Sequence, residues 1–328
     1  MLTRDDNASA TLSALAEVPE PNVHVSPAVD GLRAAEAIVL AFLVYATVAS
    51  FELLTSVREQ LMIAALNVLT GSVILLLVKV TEKNPRTFLV AVRDWLPAAL
   101  ILLAYRESGL FVFPDPMHRL DLVFVRWDSL LLHNRWLLAT ESALAPWLQS
   151  YLELGYLLCY PIIPLGLGCL LLARRKMENG GVQSEGDQAK IQNLESKIVV
   201  DHFWTAVLIA TLFCYTVYPF FPLTPPRLLF HDVPGPAAPP PLRIANLWLL
   251  EHYGVQACIF PSGHVAAVTA TGLAVRAYRP RLGALFLAAA ATVTLATVFL
   301  RYHYMVDALA GVLVGWAAMG ISNRIHRP

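Results

Sequence analysis

Charge is what this sequence has least of. Asp, Glu, Lys and Arg make up 15% of the 328 residues, where a soluble domain carries about 25%. The charge that is present balances, with 24 basic and 24 acidic residues, so nothing points to nucleic acid and no such partner is expected. Cysteine is sparse as well. Cys159, Cys169, Cys214 and Cys258 show no CxxC or metal-ligand spacing, and three of them sit in apolar runs. They read as packing residues, and neither a disulfide nor a redox role is inferred. No carboxylate cluster suggests a magnesium site, so no metal or cofactor is expected. Residues 1–33 begin without the basic start and short apolar core of a signal peptide, and read as a flexible tail. No internal repeat is visible.

What is abundant is apolar sequence, 57% of the chain, with a mean hydropathy of +0.57. The fold class this implies is all-α: a polytopic membrane bundle of about eight transmembrane helices. Apolar runs mark spans near 34–54, 60–80, 150–173, 203–221, 282–300 and 304–321, with a shorter one at 261–278. The run WLPAALILLAY, residues 95–105, is too short alone and is flanked by charge. Topology supports counting it. With eight spans and both termini cytoplasmic, fifteen Lys and Arg fall inside and eight outside; without it the split is twelve to eleven. Cytoplasmic loops carry the basic excess, so eight spans is the better reading.

The organisation that follows is a tail (1–33), N-terminal spans (34–177), a polar cytoplasmic linker (178–199), a catalytic core (200–321) and a short cytoplasmic tail (322–328). The Pro-rich stretch 224–243 is expected to be an outside loop with no regular element. Residues 118–138 place Leu120, Val123, Phe124, Trp127, Leu130 and Leu131 at helical spacing, with Asp121, Asp128 and Arg135 largely elsewhere. This predicts an amphipathic helix on the outer interface.

Three stretches carry chemistry. In FLRYHYMVDALAG (299–311), His303 and Asp307 are four apart and share one helix face, with Arg301 just before them. In FPSGHVAAV (260–268), a proline suits a first helical turn, Ser262 and Gly263 free the backbone to approach a ligand, and His264 follows. In YPFFPLTPPRLLF (218–230), Arg227 leaves the end of a span. Each has a plainer reading alone: a His–Asp pair at a helix end, a turn into a span, an Arg among headgroups. Under the eight-span topology all five groups meet at the outer ends of the last four spans. Titratable groups at membrane depth usually serve a function. Two histidines, an aspartate and arginines beside a helix start form a phosphoryl-transfer kit. One His can attack phosphorus while Asp fixes its tautomer, the other His can protonate the leaving oxygen, and Arg and backbone N–H groups can hold the equatorial charge.

At these residues the sequence resembles the type-2 phosphatidic acid phosphatase family, whose superfamily includes vanadium haloperoxidases. The resemblance is complete for Pro261-Ser262-Gly263-His264 and for His303-x3-Asp307. It implies His303 as nucleophile, Asp307 as its partner and His264 as the acid, with Arg227, Ser262, Gly263 and Arg301 binding phosphate. Two positions depart from the family pattern. The family Lys is absent, Phe220 standing seven before Arg227, and the family Ser-Arg falls on Ala296-Thr297. Arg301, only two before His303, can substitute only where the backbone is irregular, since a regular helix puts the two on opposite faces. The Pro-Pro-Arg version of the first motif looks more like the branch with inositolphosphorylceramide and sphingomyelin synthases.

The reading is a membrane lipid phosphate phosphatase working through phosphohistidine on the extracytoplasmic face, at the plasma membrane. Its partners are a lipid phosphate or phospholipid and the surrounding membrane lipids. The alternatives are a phosphotransferase moving a phospho-headgroup to an alcohol, a lipid transporter and a non-catalytic family member.

Overall fold

The computed structural model describes residues 31–113, 117–132, 144–178, 187–230, 240–255 and 257–327. The helices in them are α1 (Ala34–Leu53), α2 (Val57–Lys83), α3 (Thr87–Leu110), α4 (Arg119–Leu132), α5 (Pro146–Leu157), α6 (Ile162–Glu178), α7 (Asp187–Val217), α8 (Pro226–Leu229), α9 (Pro241–Tyr253), α10 (Gly263–Tyr278), α11 (Pro280–Phe299) and α12 (Met305–Ile325). Two short strands, β1 (Pro222–Leu223) and β2 (Cys258–Ile259), pair antiparallel with Pro222 opposite Ile259. The architecture is an all-α polytopic membrane bundle. Among the described residues six helices are long and apolar enough to cross a bilayer, or seven if α5 and α6 form one broken span. The 16-residue α10 occupies the remaining predicted span.

One expected span is longer than its apolar run, and two expectations change. The short run 95–105 belongs to the 24-residue α3, which takes in Arg93 and Asp94 because both are paired. Arg93 lies 2.6 Å from Glu36, and Asp94 lies 2.6 Å from Arg33. Paired charges avoid most of the cost that an isolated charge incurs at that depth. The expected span 150–173 is bent by 67° between α5 and α6. The break ends at Tyr160-Pro161, where proline removes an N–H and disfavours helix in the residue before it. The stretch 224–243, read as lacking any regular element, holds α8 and the start of α9. Both open with a proline in the first turn, where its missing N–H costs nothing. Residues 231–239, residues 179–186 of the linker and residues 133–138 of the predicted amphipathic stretch lie outside the described residues.

The core is formed where α7, α10, α11 and α12 pack on one another, with Phe203, Trp204, Val207 and Leu208 of α7 fully buried. Helices α10 and α12 approach backbone to backbone. A Cβ on Gly311 would stand 2.7 Å from the Ser262 carbonyl oxygen, and one on Gly315 would stand 2.8 Å from that of Ala266. Asp307, Gly311 and Gly315 are spaced by four on one face of α12, so the small-residue face that lets the helices touch also aims Asp307 at the start of α10. Many side chains on the bundle's outside are large and apolar, such as Val68, Leu76, Leu102, Leu313 and Trp316. That is the surface a bilayer covers.

Charged groups gather at both ends of the bundle. At one end, Asp201 of α7 accepts hydrogen bonds from the first N–H groups of α1, at Ala34 (3.2 Å) and Ala35 (2.9 Å), and lies 3.2 Å from His326. The ion pairs of Arg33 and Arg93 stand beside it. The other end holds His264, His303 and Asp307.

Candidate active site

The loop between α11 and α12 gives the site its shape. The N–H of Arg301 bonds the Val298 carbonyl (3.0 Å), and those of Tyr302 (2.9 Å) and His303 (2.8 Å) both bond the Thr297 carbonyl. This is a Schellman ending, which needs a left-handed residue just past the helix, usually glycine. Here that residue is Arg301, with φ of +59°. The conformation costs an L-residue about 1 kcal/mol, and such strain tends to gather at functional sites. The sequence reading required an irregular backbone at Arg301, and it is present.

His303 and Asp307 then meet across the first turn of α12. The His303 Nδ1 is hydrogen bonded to Asp307 Oδ2. A carboxylate can only accept, so Nδ1 carries a proton, which in the neutral ring leaves the lone pair on Nε2. The ring of His264 stands 5.8 Å from that of His303, centroid to centroid. One phosphoryl group can touch both.

At the start of α10, Ser262 is the cap. Its hydroxyl accepts from Val265 N–H at 3.4 Å, and its own N–H donates to the Asp307 carbonyl at 3.3 Å. The hydroxyl oxygen thus caps the helix while its O–H proton stays available to an acceptor, and the α10 N-terminus offers N–H groups beside it. Gly263 has a packing reason as well: a Cβ there would lie 2.3 Å from the Tyr218 hydroxyl. Arg227, half-buried on α8, donates its N–H to the Arg301 carbonyl at 3.0 Å, and its guanidinium lies 5.6 Å from the Tyr302 ring centre. All seven predicted site residues thus converge on one end of the bundle. Phe220, at the missing lysine, is largely exposed and brings no cation.

Several residues of this region went unread in the sequence. Buried Glu153 accepts from Arg243 (3.0 Å), from Asn246 (2.7 Å) and from the Tyr302 hydroxyl (2.9 Å). Arg243 also donates to the Leu300 carbonyl at 3.1 Å, so this cluster grips the loop that carries Arg301 and His303. Tyr156 stacks on Tyr302 at 4.0 Å, and Tyr156 and Tyr160 flank His264. The available signal was Glu153 itself, a carboxylate inside an apolar run. A cavity of about 640 Å³ opens beside His264, walled by Tyr105, Tyr160, Tyr215, Tyr218 and aliphatic side chains of α3 and α6.

Helix α4 packs against the site with its two aspartates and Phe124 turned inward. Leu122, Trp127, Leu130 and Leu131 are exposed, whereas Asp121 and Asp128 are buried. Asp121 accepts from the Thr224 N–H at 2.7 Å. Asp128 accepts from the Met305 (2.8 Å) and Val306 (3.1 Å) N–H groups, the first two of α12. Burial raises the Asp128 carboxyl to about 6 despite those two N–H bonds, and the nearby Asp307 charge adds to the rise.

Residues 195–321 match the family model of the PAP2 superfamily. The PAP2 match runs from α7 to α12 and contains all seven predicted site residues, while α1–α6 lie outside it. A 55-residue stretch is 46% identical to a PA-phosphatase related-family protein of Dictyostelium discoideum. That alignment covers 17% of this chain and 10% of the relative, so the chain matches about a tenth of that protein's length. No solved structure matches.

Proposed function

We propose that this membrane protein is a lipid phosphate phosphatase that acts through a phosphohistidine on His303. The observation that carries the reading is the pairing of two unlike histidines. His303 has given Nδ1 to Asp307 and keeps Nε2 for attack, and His264 faces it beside an apolar cavity. In the first step Nε2 bonds to phosphorus, the bond from phosphorus to the alcohol oxygen breaks, and His264 gives that oxygen its proton. In the second, water attacks phosphorus, the P–N bond breaks and His264 takes a proton back. Arg227, Arg301 and the α10 N-terminus supply positive charge to the equatorial oxygens. The cavity lies on the His264 side, where the alcohol leaves, which favours an apolar leaving group.

A phosphotransferase uses the same intermediate, with a second alcohol attacking in place of water. The cavity suits this reading too, because an acceptor must arrive along the path by which the first alcohol left. Purified protein given ³²P-labelled lipid phosphate should release inorganic phosphate; label appearing in a new lipid instead would make it the transferase. In either case His303→Ala should abolish turnover and the acid-labile phosphoprotein. His264→Ala should be slowed about a hundred- to ten-thousand-fold with lipid alkoxides, but should recover much of that rate with an activated aryl phosphate, whose leaving group needs little protonation. Rescue in the His303 variant, or a phosphoprotein that survives His303→Ala, would refute the assignment.

A further inference from the structure

Three segments must be held together for this site to exist: the stretch ending in Arg227, the turn entering α10 and the start of α12. Helix α4, outside the PAP2 match, touches all three. Asp121 binds the Thr224 N–H, three residues before Arg227 (2.7 Å). Phe124 packs edge-on against Phe260 with ring centres 5.2 Å apart, next to Pro261. Its ring also lies 5.7 Å from that of Tyr304, whose hydroxyl donates to the Thr224 carbonyl at 3.0 Å. Asp128, fully buried, receives the Met305 and Val306 N–H groups one turn from His303.

The arrangement at Asp128 is unusual for a cap. The residue that begins α12, Tyr304, makes no side-chain cap bond. The free N–H groups of the first turn are met instead by a carboxylate 177 residues away in the sequence. A helix N-terminus welcomes a negative charge, yet burial makes this one costly, and a local Ser or Thr would cap α12 without that cost. What a distant carboxylate adds is register, since it fixes where α12 starts relative to α4 and so where Asp307 sits in the first turn.

We infer that α4 is the clamp of the catalytic end and that Asp128 is a positioning residue for the His303–Asp307 pair. It touches neither substrate nor the reacting atoms; it acts by holding the first turn of α12. The inference rests on His303 being the reactive histidine, so its test includes one measurement that needs no turnover.

The full chain in lipid nanodiscs is compared with Asp128→Ala, Asp128→Asn and Tyr278→Phe, the last removing a hydrogen bond to His202 at the opposite end of the bundle. Asp128→Ala should lower kcat at least tenfold with KM within about twofold, for lipid and aryl phosphates alike, because attack itself is impaired. Asp128→Asn keeps one acceptor oxygen for the two N–H groups and should recover part of that loss; it decides the matter if the Ala variant does not fold. Tyr278→Phe should lower thermal stability and leave kcat unchanged. The turnover-free measurement is the ¹⁵N NMR signal of His303, assigned by its loss in His303→Gln. It should show the Nδ1–H tautomer in the parent protein and a mixture of tautomers in the Asp128 variants. Should the parent turn over no phosphate ester, the proposed function falls, while a changed His303 signal still supports the clamp. Unchanged kcat per folded molecule, or a His303 signal identical in all variants, overturns it.

Discussion

Arg301 has two roles in the proposed function, a strained backbone that shapes the loop and a guanidinium for the phosphate charge. The two can be separated by comparing Arg301→Gly with Arg301→Ala. Both variants lose the side chain, so both should lose about ten- to a hundredfold in kcat/KM, the worth of one or two hydrogen bonds from a charged donor. Only glycine relieves a φ of +59°. Thermal unfolding should therefore place the Gly variant about 1 kcal/mol above the Ala variant. Equal stabilities would mean that the loop relaxes out of the left-handed conformation once the side chain is gone. At this scale the histidine pair and Arg227 were legible in the sequence, because each interrupts an apolar run with a group that hydrocarbon does not tolerate. Ser262 was legible as part of the site, but its hydroxyl turned out to cap α10. A motif names a residue type and leaves its hydrogen-bond partner undetermined.

At the scale of elements, the site depends on how closely α10 and α12 approach. Gly311 is where the two backbones come nearest, with the Ser262 carbonyl oxygen 2.7 Å from where its Cβ would be. Neither backbone can move without carrying a residue of the proposed mechanism with it, Asp307 on one side and His264 on the other. Gly311→Val should therefore cost at least the 1–3 kcal/mol typical of overpacking, and it should abolish activity even in the fraction that remains folded. Gly320, with open space at its Cβ position, should accept Ala with stability and activity unchanged. Normal activity in folded Gly311→Val would show that the helices can separate without harm to the site. Periodicity revealed the helices themselves. It did not reveal that α4 turns its carboxylates toward the protein, because a period defines two faces and only the neighbours decide which is buried.

At the scale of the molecule, the two ends of the bundle differ in chemistry, and the excess of basic residues assigns them to sides. The end with Arg33, Arg93 and Arg324 is expected to face the cytoplasm, and the end with His264 and His303 the opposite compartment. In a background lacking native cysteines, an impermeant thiol reagent added to intact cells should label Leu228→Cys, exposed beside Arg227, and spare Arg324→Cys. The reverse pattern would put the chemistry in the cytoplasm and remove the eight-span topology. The basic-residue count had already made 95–105 a span, but its full length needed the third dimension. The 11-residue run 95–105 became the 24-residue α3 because Glu36 of α1 and Arg33, the residue just before α1, neutralise Arg93 and Asp94, and a hydropathy window cannot see a partner elsewhere in the fold.

By itself the sequence determined the membrane class, the places of most spans and the seven residues that converge at one end of the bundle. Those follow from local properties: hydrocarbon selects apolar runs, and a charged or titratable group within them needs a reason to be there. The tertiary structure decided what no local property encodes. It turned α11 into α12 through a left-handed arginine, bent the fourth span at Tyr160-Pro161, and opened the apolar cavity beside His264. It also brought Glu153 and Asp128, 150 and more residues before His303 in the chain, against the loop and helix that hold it. A hydrogen bond between residues so far apart is set by the packing of whole helices, which exists only once the chain has folded.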